Sequence, residues 1–456
     1  MADFNISERD FTSEILKLSE LCEKNGIIDS SLYQKYDVKR GLRDSNGKGV
    51  LTGLTKISDI RQNKIIDGKL VPCEGELYYR GININDIISG CETENRMGFE
   101  ETIYLLLFGE LPSLNRLCEF RDIMSQYRDL PVNFIRDVIM KAPSHDIMNT
   151  LARSVLTLYS YDDKANSLEI PNVLKQSLQL ISRIPRIAVY AYHAYNHIAK
   201  NKSLYIHYPD PEKSLAENFL AMLRPNKKYS QLEAEVLDKV LILHAEHGGG
   251  NNSTFTTHVV TSSGTDTYSA VAAALCSLKG PKHGGASIKV SLMFNDIGKN
   301  VKDWNDDEEI SAYLEKILDK KAFDKSGLIY GIGHAVYTIS DPRAQILRNY
   351  VKRLAKEKEC ESEFELYNKI EKLAPQLVAK KKNMKKNVSA NVDFYSGFAY
   401  RLLNIPIELY TPLFAIARVV GWSAHRIEEI INSGKIIRPA YMSVSDEQKY
   451  VNIKNR

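Results

Sequence analysis

Cysteine is scarce in this chain, and its six cysteines are scattered. They stand at positions 22, 73, 91, 118, 276 and 360, and none of them forms a CxxC pair. Because zinc ribbons and dithiol redox sites need closely spaced cysteines, neither kind of site is predicted. Unpaired thiols favour a reducing compartment. Cys276 falls in a stretch of small apolar residues, and we expect its side chain to be buried.

Long apolar runs and a strong excess of one charge are also missing. No run of about 18 apolar residues occurs, so no membrane span is predicted. The 61 basic and 57 acidic side chains nearly cancel, which argues against nucleic acid or a membrane as the main partner. The opening residues, MADFNISERDF, lack the features of a secretory signal or a transit peptide. We therefore expect a cytoplasmic protein.

The chain does have a strong helical pattern. Its 456 residues are enough for two or three domains, or for one large core with a smaller lobe. Glycine breaks between β-branched and aromatic residues over 46–82 predict a few short strands, and the apolar spacing that follows is nearly all helical. The helices predicted include 11–22, 185–200 and 308–320, and a last helix that begins at a Thr411 cap. Residues 345–372 are predicted to be a charged helical region.

The stretch from Leu243 to Ala286 places histidines among many small residues. Gly280 and Pro281 end a predicted helix there, so His283 lies on a sharp turn, followed by two glycines that permit close approach. A histidine held in this way is suited to proton transfer or to hydrogen bonding with a developing oxyanion. A lone histidine is more often a structural core residue, and we give His258 that interpretation.

Metal binding is a second interpretation of this stretch. His244 and His247 are three residues apart and are predicted to share a helix face. Their order, H-A-E-H, differs from the H-E-x-x-H of zinc proteases, and the chain offers no convincing third ligand. The metal interpretation is therefore the weaker one.

Later segments carry further candidates. GIGHAVYTISDPRA places His334 after a glycine pair and Arg343 at a turn or helix start. NVDFYSG sets Asp393 between apolar neighbours, where desolvation would raise the pKa of the carboxylate, although a helix cap is its commoner role. Arg418 follows an apolar stretch, and a buried arginine needs a carboxylate or phosphate partner. The run Lys380–Lys386 is either a solvated face or a phosphate contact.

These segments together resemble the citrate synthase family, which has 2-methylcitrate synthase as a near relative. The resemblance extends from about Gly49 to about Tyr441. GLTKISDI, GELYYRGI and FEETIYLLLFGELP are similar to the family's opening. HAEHGGGNNST, GPKHGG, GIGHAVYTISDPRA, NVDFYSG and ARVVGWSAH follow in the family's order. One such motif is weak evidence, but the whole set in register is strong evidence.

The resemblance implies a role for each matched residue. It implies that His283 hydrogen-bonds the thioester carbonyl of acetyl-CoA, that Asp393 removes a proton from the acetyl methyl group, and that His334 polarises the ketone of oxaloacetate. The oxaloacetate ligands that it implies are His247, Arg343, Arg418 and, from a neighbouring subunit, Arg438. The last role implies a homodimer or a higher homo-oligomer. No metal or other cofactor is implied, because acetyl-CoA is a substrate.

The fold that the resemblance implies is mostly α, in two domains, with a few short N-terminal strands. Residues 286–398 are expected to form the small domain. The large domain is expected to comprise 1–285, including an N-terminal extension over 1–45, together with 399–456. The active site is then expected in the cleft, where closure on oxaloacetate creates the acetyl-CoA site and excludes water.

Three positions depart from the family pattern. Many members carry arginine or lysine at the position of Thr338, where it meets a CoA phosphate, and many carry a polar or charged side chain at that of Gly248. Ala335 replaces an arginine found in many bacterial members. The residues that bind the CoA phosphates are therefore left open, although Lys380–Lys386 could supply the charge.

The leading interpretation is citrate synthase, which converts acetyl-CoA, oxaloacetate and water to citrate and CoA. A 2-methylcitrate synthase that uses propionyl-CoA is the alternative, since acyl pocket size is not legible in one sequence. A non-catalytic scaffold of the same fold and a metal hydrolase built on His244 and His247 are further alternatives, which the full set of matched residues disfavours.

Overall fold

The structure is a computed structural model that describes residues 12–44, 48–66, 69–333, 337, 339–381, 388–432 and 435–455. The chain divides into two compact units, Met1–Leu54 with Arg438–Arg456 and Thr55–Ile437. The first unit contains helices α1 (Thr12–Gly26) and α2 (Ser30–Lys35) and 3-10 turns at Arg40–Leu42 and Ile453–Asn455. α1 confirms the helix predicted over 11–22.

The second unit begins with an antiparallel sheet. β1 (Ser58–Ile66) pairs with β2 (Lys69–Tyr79), and β2 pairs with the short strand β3 (Ile82–Asn83). Ser58 lies opposite Tyr79 in this register, and an irregularity between Arg61 and Asn63 interrupts the ladder. The strands predicted over 46–82 are therefore confirmed.

Helices make up most of the rest of the second unit. They are α3 (Ile84–Thr93), α4 (Phe99–Phe108), α5 (Leu114–Gln126), α6 (Ile147–Leu158), α7 (Ile170–Lys200), α8 (Leu215–Leu223), α9 (Gln231–His244), α10 (Asn252–Ser262), α11 (Thr267–Lys279), α12 (Ala286–Asn300), α13 (Asp307–Leu318), α14 (Pro342–Glu357), α15 (Glu361–Lys381), α16 (Val392–Leu402) and α17 (Tyr410–Asn432). Short segments at Ile135–Ile139 (π-helical) and at Tyr159–Tyr161 and Ile407–Leu409 (3-10) connect some of them. The mostly α architecture predicted from the apolar spacing is confirmed.

One predicted helix had the wrong extent, and the predicted helical region consists of two helices. The helix predicted over 185–200 is the second half of α7, which starts at Ile170 and runs through Pro185 because its buried face continues on both sides of the proline. The region 345–372 belongs to two helices, α14 and α15. They are separated near Glu359, whose φ of 53° is left-handed and ends helical geometry.

Two residue predictions also need correction. Thr411 does not cap the last helix, because α17 already begins at Tyr410. Its hydroxyl instead donates to Gly284 O at 3.0 Å, which joins α17 to the turn after α11. Cys276 is exposed, not buried, because α11 turns Ala274 and Leu275 inward and leaves Cys276 on its outer face.

α17 is the central helix of the second unit. Every residue from Tyr410 to Ile427 is buried, and the helix packs against α4, α6, α7, α9, α10, α11 and α12. Gly421 permits the closest of these approaches, since an added Cβ would lie 2.6 Å from Ala245 O just beyond the end of α9. Polar side chains within so buried a helix need partners inside the protein.

The predicted division of this part of the chain at 286 and 398 stays a prediction. Among the described residues, no helix combines the length and the apolar character needed to cross a membrane.

Candidate active site

Most of the predicted site residues lie in the described part of the second unit. They are His247, His283, Arg343, Asp393 and Arg418. His334 lies outside the described residues, as do Ala335, Thr338 and 382–387. Arg438 belongs to the first unit, where its side chain is exposed.

His283 lies in the turn that follows α11, as predicted. Its backbone N–H donates to Gly280 O at 2.9 Å, and the N–H of Gly284 donates to Leu278 O at 3.0 Å. A side chain at Gly284 would not fit, because its Cβ would lie 2.9 Å from Thr411 Cγ2. The turn therefore holds His283 at a fixed place beyond a rigid helix.

The hydrogen bonds of His283 define its tautomer. Its Nε2 accepts the backbone N–H of Ser253 at 3.3 Å and lies 2.9 Å from Ser253 Oγ, to which Trp422 Nε1 donates at 3.2 Å. A backbone N–H can only donate, so the proton of a neutral imidazole belongs on Nδ1. Burial and the nearby Arg418 guanidinium lower the pKa of His283 to about 4. The ring is therefore a neutral N–H donor at pH 7.

Asp393 lies in the first turn of α16 without serving as its cap. Asn391 is the cap, and its Oδ1 accepts the N–H of Asp393 at 3.0 Å. Burial raises the pKa of Asp393 to about 6, against the opposing effects of Arg343 and Arg418. The carboxylate is thus ionised at pH 7 but remains a better base than an exposed one.

The start of α16 is tied to the segment 331–333. Gly333 N–H donates to Ser389 O at 2.8 Å, and Asn391 N–H donates to Gly331 O at 2.9 Å. The Asn391 amide also donates to Gly333 O at 2.8 Å. Gly331 has a φ of 82°, and a Cβ there would lie 2.9 Å from Phe394 Cδ2. Only glycine satisfies both conditions, so the approach of the two segments depends on it.

Arg343 is fixed by a buried carboxylate. Asp341 caps α14 by accepting the N–H of Arg343 at 3.0 Å, and it pairs with the guanidinium through Nε at 3.0 Å and Nη2 at 2.8 Å. Its Oδ2 also accepts the N–H of Val392 at 3.1 Å. Asp341 therefore connects Arg343 directly to the helix that carries Asp393.

Arg418 is buried in the middle of α17. Its Nε donates to His244 O at 2.8 Å, and its guanidinium lies 4.8 Å from the ring centroid of Phe414. Within the described residues it forms no ion pair, and the carboxylate whose charge acts on it most is Glu246. A buried guanidinium held in this way is suited to bind an anion.

His247 lies just beyond the end of α9. The helix ends at His244, so the prediction that the two histidines share a helix face is wrong. His244 is buried with its Nδ1 2.9 Å from Val240 O, whereas the His247 ring lies 5.6 Å from that of Tyr337. No three His, Cys, Asp or Glu side chains in the described ranges are grouped as metal ligands.

A cavity of about 440 Å³ opens beside His283. Its other lining residues are Asn252, Ser277, Gly280, Pro281 and Lys282. The size suits one part of an extended ligand, and Lys282 places a cation at its edge.

A family model matches most of the chain. Residues 44–440 match the model described as Citrate synthase, C-terminal domain.

The chain belongs to the citrate synthase family.

Citrate synthases and 2-methylcitrate synthases are found among the relatives at similar sequence identity. A 2-methylcitrate synthase of Corynebacterium glutamicum is 32% identical over 91% of this chain and 97% of its own length. A citrate synthase of Synechocystis is 34% identical over 84% of this chain and 89% of its own length. Sequence identity of this size shows the family to which the chain belongs. It does not show which acyl-CoA the enzyme uses.

Solved citrate synthases share the fold. The enzyme of Thermoplasma acidophilum, in a ternary complex with carboxymethyl coenzyme A and oxaloacetate, is 28% identical with a TM-score of 0.75, covering 91% of this chain and 99% of that one. The enzyme of Thermotoga maritima is 30% identical with a TM-score of 0.70, covering 92% and 99%. The predicted citrate-synthase-like fold is confirmed.

Sequence reasoning missed two residues that support the candidate citrate synthase site. Ser253 orients His283, and no pattern in NNSTF distinguishes it from an ordinary helix start. Asp341 holds Arg343, and the sequence indicates only a turn or helix start at this position. Its position two residues before Arg343 could have indicated the buried pair, because a cap at the first turn brings the two side chains together.

Proposed function

We propose that this enzyme of the citrate synthase family is a citrate synthase, which converts acetyl-CoA, oxaloacetate and water to citrate and CoA. The observation that carries the proposal is that a carboxylate with a pKa of about 6, Asp393, and a neutral imidazole donor, His283, both lie within electrostatic reach of the Arg418 guanidinium. Enolising a thioester needs such a base and such a donor in one site.

The buried arginines supply a place for oxaloacetate. Oxaloacetate is a dianion, and arginine forks bind carboxylates in a bidentate manner. Arg343 and Arg418 both act on the pKa of Asp393, which puts their charges within electrostatic reach of the base. We assign oxaloacetate binding to these two arginines together with His247, and ketone polarisation to His334.

Acetyl-CoA is activated at its methyl group. Asp393 takes a proton from the methyl carbon, and the electron pair of that C–H bond forms the enolate, whose oxygen receives a hydrogen bond from Nδ1–H of His283. A general base contributes about 10²–10⁴-fold, and one oxyanion donor about 10²–10³-fold. Both groups are partly buried, which limits the access of water to these contacts.

Condensation and hydrolysis complete the reaction. The enolate carbon attacks the ketone carbon of oxaloacetate, and the ketone oxygen gains the electron pair and a proton, for which His334 is the proposed donor. Water then cleaves the thioester of the resulting citryl-CoA and releases CoA. The proposed steps use side chains alone, with no cofactor.

A 2-methylcitrate synthase is the second candidate. Two such enzymes of Corynebacterium glutamicum, 32% and 30% identical, align with 91% and 92% of this chain. The chemistry is the same, with propionyl-CoA in place of acetyl-CoA, so the proposed roles of Asp393 and His283 are unchanged.

CoA release by the purified protein, followed with a thiol reagent, tests the proposal. Oxaloacetate is supplied with acetyl-CoA or with propionyl-CoA, and omission of oxaloacetate is the control. A strong preference for acetyl-CoA is expected. Comparable or better use of propionyl-CoA would move the assignment to 2-methylcitrate synthase, and release with neither would favour a non-catalytic scaffold.

A further inference from the structure

A chain of hydrogen bonds between two carboxylates runs beside the candidate site. Glu429 Oε2 lies 2.8 Å from Nδ1 of His258. The other nitrogen of that ring, Nε2, lies 3.2 Å from Nδ1 of His425. Nε2 of His425 in turn lies 3.1 Å from Glu246 Oε1. This chain of hydrogen bonds therefore begins at a half-buried carboxylate, Glu429, and ends at a buried one, Glu246.

The part of this hydrogen-bond chain that contains His425 and Glu246 is inaccessible to water. The side chains of His425 and Glu246 are both 0% exposed, whereas those of His258 and Glu429 are 14% and 20% exposed. Ser58 Oγ donates to Glu246 Oε1 at 3.1 Å, which adds a second donor to that carboxylate. Groups in such a place must satisfy one another, because water cannot.

Other charged groups face the chain from the neighbouring elements. Glu428 Oε2 lies 3.8 Å from Nδ1 of His425, and its Oε1 accepts the N–H of Lys56 at 2.7 Å. Arg80 lies within electrostatic reach of Glu428, and Arg418 within that of Glu246. These carboxylates favour positive charge on the imidazoles, and the arginines partly offset that preference.

The hydrogen bonds of His258 and His425 require one proton more than two neutral imidazole rings carry. Carboxylates accept, so Nδ1 of His258 and Nε2 of His425 must each bear a hydrogen. The two remaining nitrogens face each other, and a hydrogen bond between them needs a hydrogen on one. Three of the four ring nitrogens are then protonated, and the pair carries one positive charge. If both rings were neutral, the lone pairs of His258 Nε2 and His425 Nδ1 would face each other in a buried contact.

We propose that His258 and His425 share one extra proton and that this charged relay positions Glu246 for oxaloacetate binding. The positioned turn is the one that carries His247, so the inference rests on the proposed function. His258 and His425 are positioning residues here, since neither is placed against a substrate.

The geometry around Glu246 explains how the relay reaches the site. Tyr79 OH donates to Glu246 O at 3.0 Å and accepts its N–H at 3.3 Å, so backbone and side chain are both fixed. Glu246 immediately precedes His247 in the chain, and its charge acts on Arg418. A Glu246 carboxylate without its imidazolium partner becomes an uncompensated buried anion beside the place proposed for a dianionic substrate.

A second property of the pair agrees with a single shared proton. Burial and the neighbouring His425 lower the pKa of His258, which opposes a second positive charge. One extra proton for the pair, and not two, agrees with that direction.

Nuclear magnetic resonance of the full chain with isotope-labelled histidine tests the proton count without any substrate. His258→Gln assigns the signals of the pair. At pH 7 we expect one ring protonated on both nitrogens and the other protonated only on the nitrogen that faces its carboxylate. Two singly protonated rings would overturn the proposal, whether or not the protein releases CoA from an acyl-CoA.

Kinetics test the positioning role. His258→Met removes the acceptor that faces Nδ1 of His425, so a neutral His425 with its hydrogen on Nε2 satisfies Glu246 and the positive charge is lost. We expect the KM for oxaloacetate at pH 7 to rise about tenfold, with a smaller change in kcat. The wild-type KM is also expected to rise in alkali as the pair loses its proton, a step that the variant lacks.

Two further variants keep this test interpretable. Glu429→Gln supplies an amide that can donate to Nδ1 of His258, so two neutral rings then satisfy every contact and the extra proton is no longer required. This position is half-buried, so folding is secure there. His197→Met, at an exposed histidine outside the relay, is the matched control. An oxaloacetate KM and a pH profile unchanged in both His258→Met and Glu429→Gln would overturn the positioning role.

Discussion

Burial moves the pKa values of Asp393 and His283 in opposite directions for one physical reason. A desolvated site disfavours charge, so the carboxyl pKa rises to about 6 and the imidazole pKa falls to about 4. The two shifts leave a base that is ionised but reactive and a donor that is neutral at pH 7. An exposed pair would be a weaker base and a partly charged donor.

Asp393→Asn removes the base and keeps the shape of the side chain. We expect kcat to fall by about 10²–10⁴-fold, while oxaloacetate binding measured by calorimetry stays within a few-fold of wild type. The wild-type kcat/KM should also fall below about pH 6, where Asp393 becomes protonated. Asp163→Asn, at an exposed carboxylate, is the control. Near wild-type turnover in the Asp393 variant would mean that the base lies elsewhere.

The same substitution should change stability in a pH-dependent way. The pKa of Asp393 is raised from 3.8 to about 6 on folding, so folding favours the protonated form. The wild type therefore loses stability relative to Asp393→Asn as the pH rises from about 4 through about 6, by on the order of 2 kcal/mol. Urea unfolding without substrates at pH 4 and pH 8 measures this. An equal stability difference at both pH values would contradict the desolvated carboxylate.

Most residues of the candidate site lie at helix ends or in the short turns next to them. His247 follows α9, His283 follows α11, and Arg343 and Asp393 lie in the first turns of α14 and α16. Arg418 alone comes from a helix interior, that of α17. α17 packs against α9 and α11, whereas α14 and α16 pack against each other and against α9. The position of α17 therefore bears most directly on His247, His283 and Arg418.

Gly421→Ala tests that dependence on α17. The added methyl would lie 2.6 Å from Ala245 O and closer still to the Glu246 carboxylate, so α17 and the end of α9 must separate. We expect a loss of about 1–3 kcal/mol in the free energy of unfolding, together with a raised KM for oxaloacetate. Gly90→Ala on α3 is the control, because its Cβ meets nothing within 4 Å and alanine favours a helix. Equal stability of the two variants would mean that the contact relaxes without cost.

Local patterns predicted much of this architecture and little of its tertiary contacts. Apolar spacing and stop signals located α11, and the apolar neighbours of Asp393 indicated the direction of its pKa shift. Thr411 has the chemistry of a cap, but its partner is Gly284, more than a hundred residues earlier. His258 was given a purely structural reading because its partners Glu429 and His425 lie on another helix. Such contacts depend on which helices meet, and spacing along one helix does not contain that information.

Of the two units of the molecule, the first carries many exposed apolar side chains. On α1, Ile15, Leu16, Leu18 and Leu21 are between 53% and 60% exposed, and Tyr441 is 97% exposed. Several large exposed apolar side chains on one helix favour a surface that another chain covers. It agrees with the prediction that Arg438, in the same unit, acts in a neighbouring subunit's site.

Mixed dimers of two defective variants test the role of Arg438. We expect Arg438→Ala to weaken oxaloacetate use and Asp393→Asn to abolish turnover. If Arg438 serves the neighbouring site, a mixed dimer contains one site with an intact Asp393 and the intact Arg438 of its partner. Co-expression with two affinity tags should then give mixed dimers with about half of the wild-type rate at low oxaloacetate, because one of two sites is whole. If Arg438 serves its own chain, every site in the mixture keeps a defect and the rate stays at that of the parents. Full activity in a monomeric fraction would contradict the subunit-crossing role altogether.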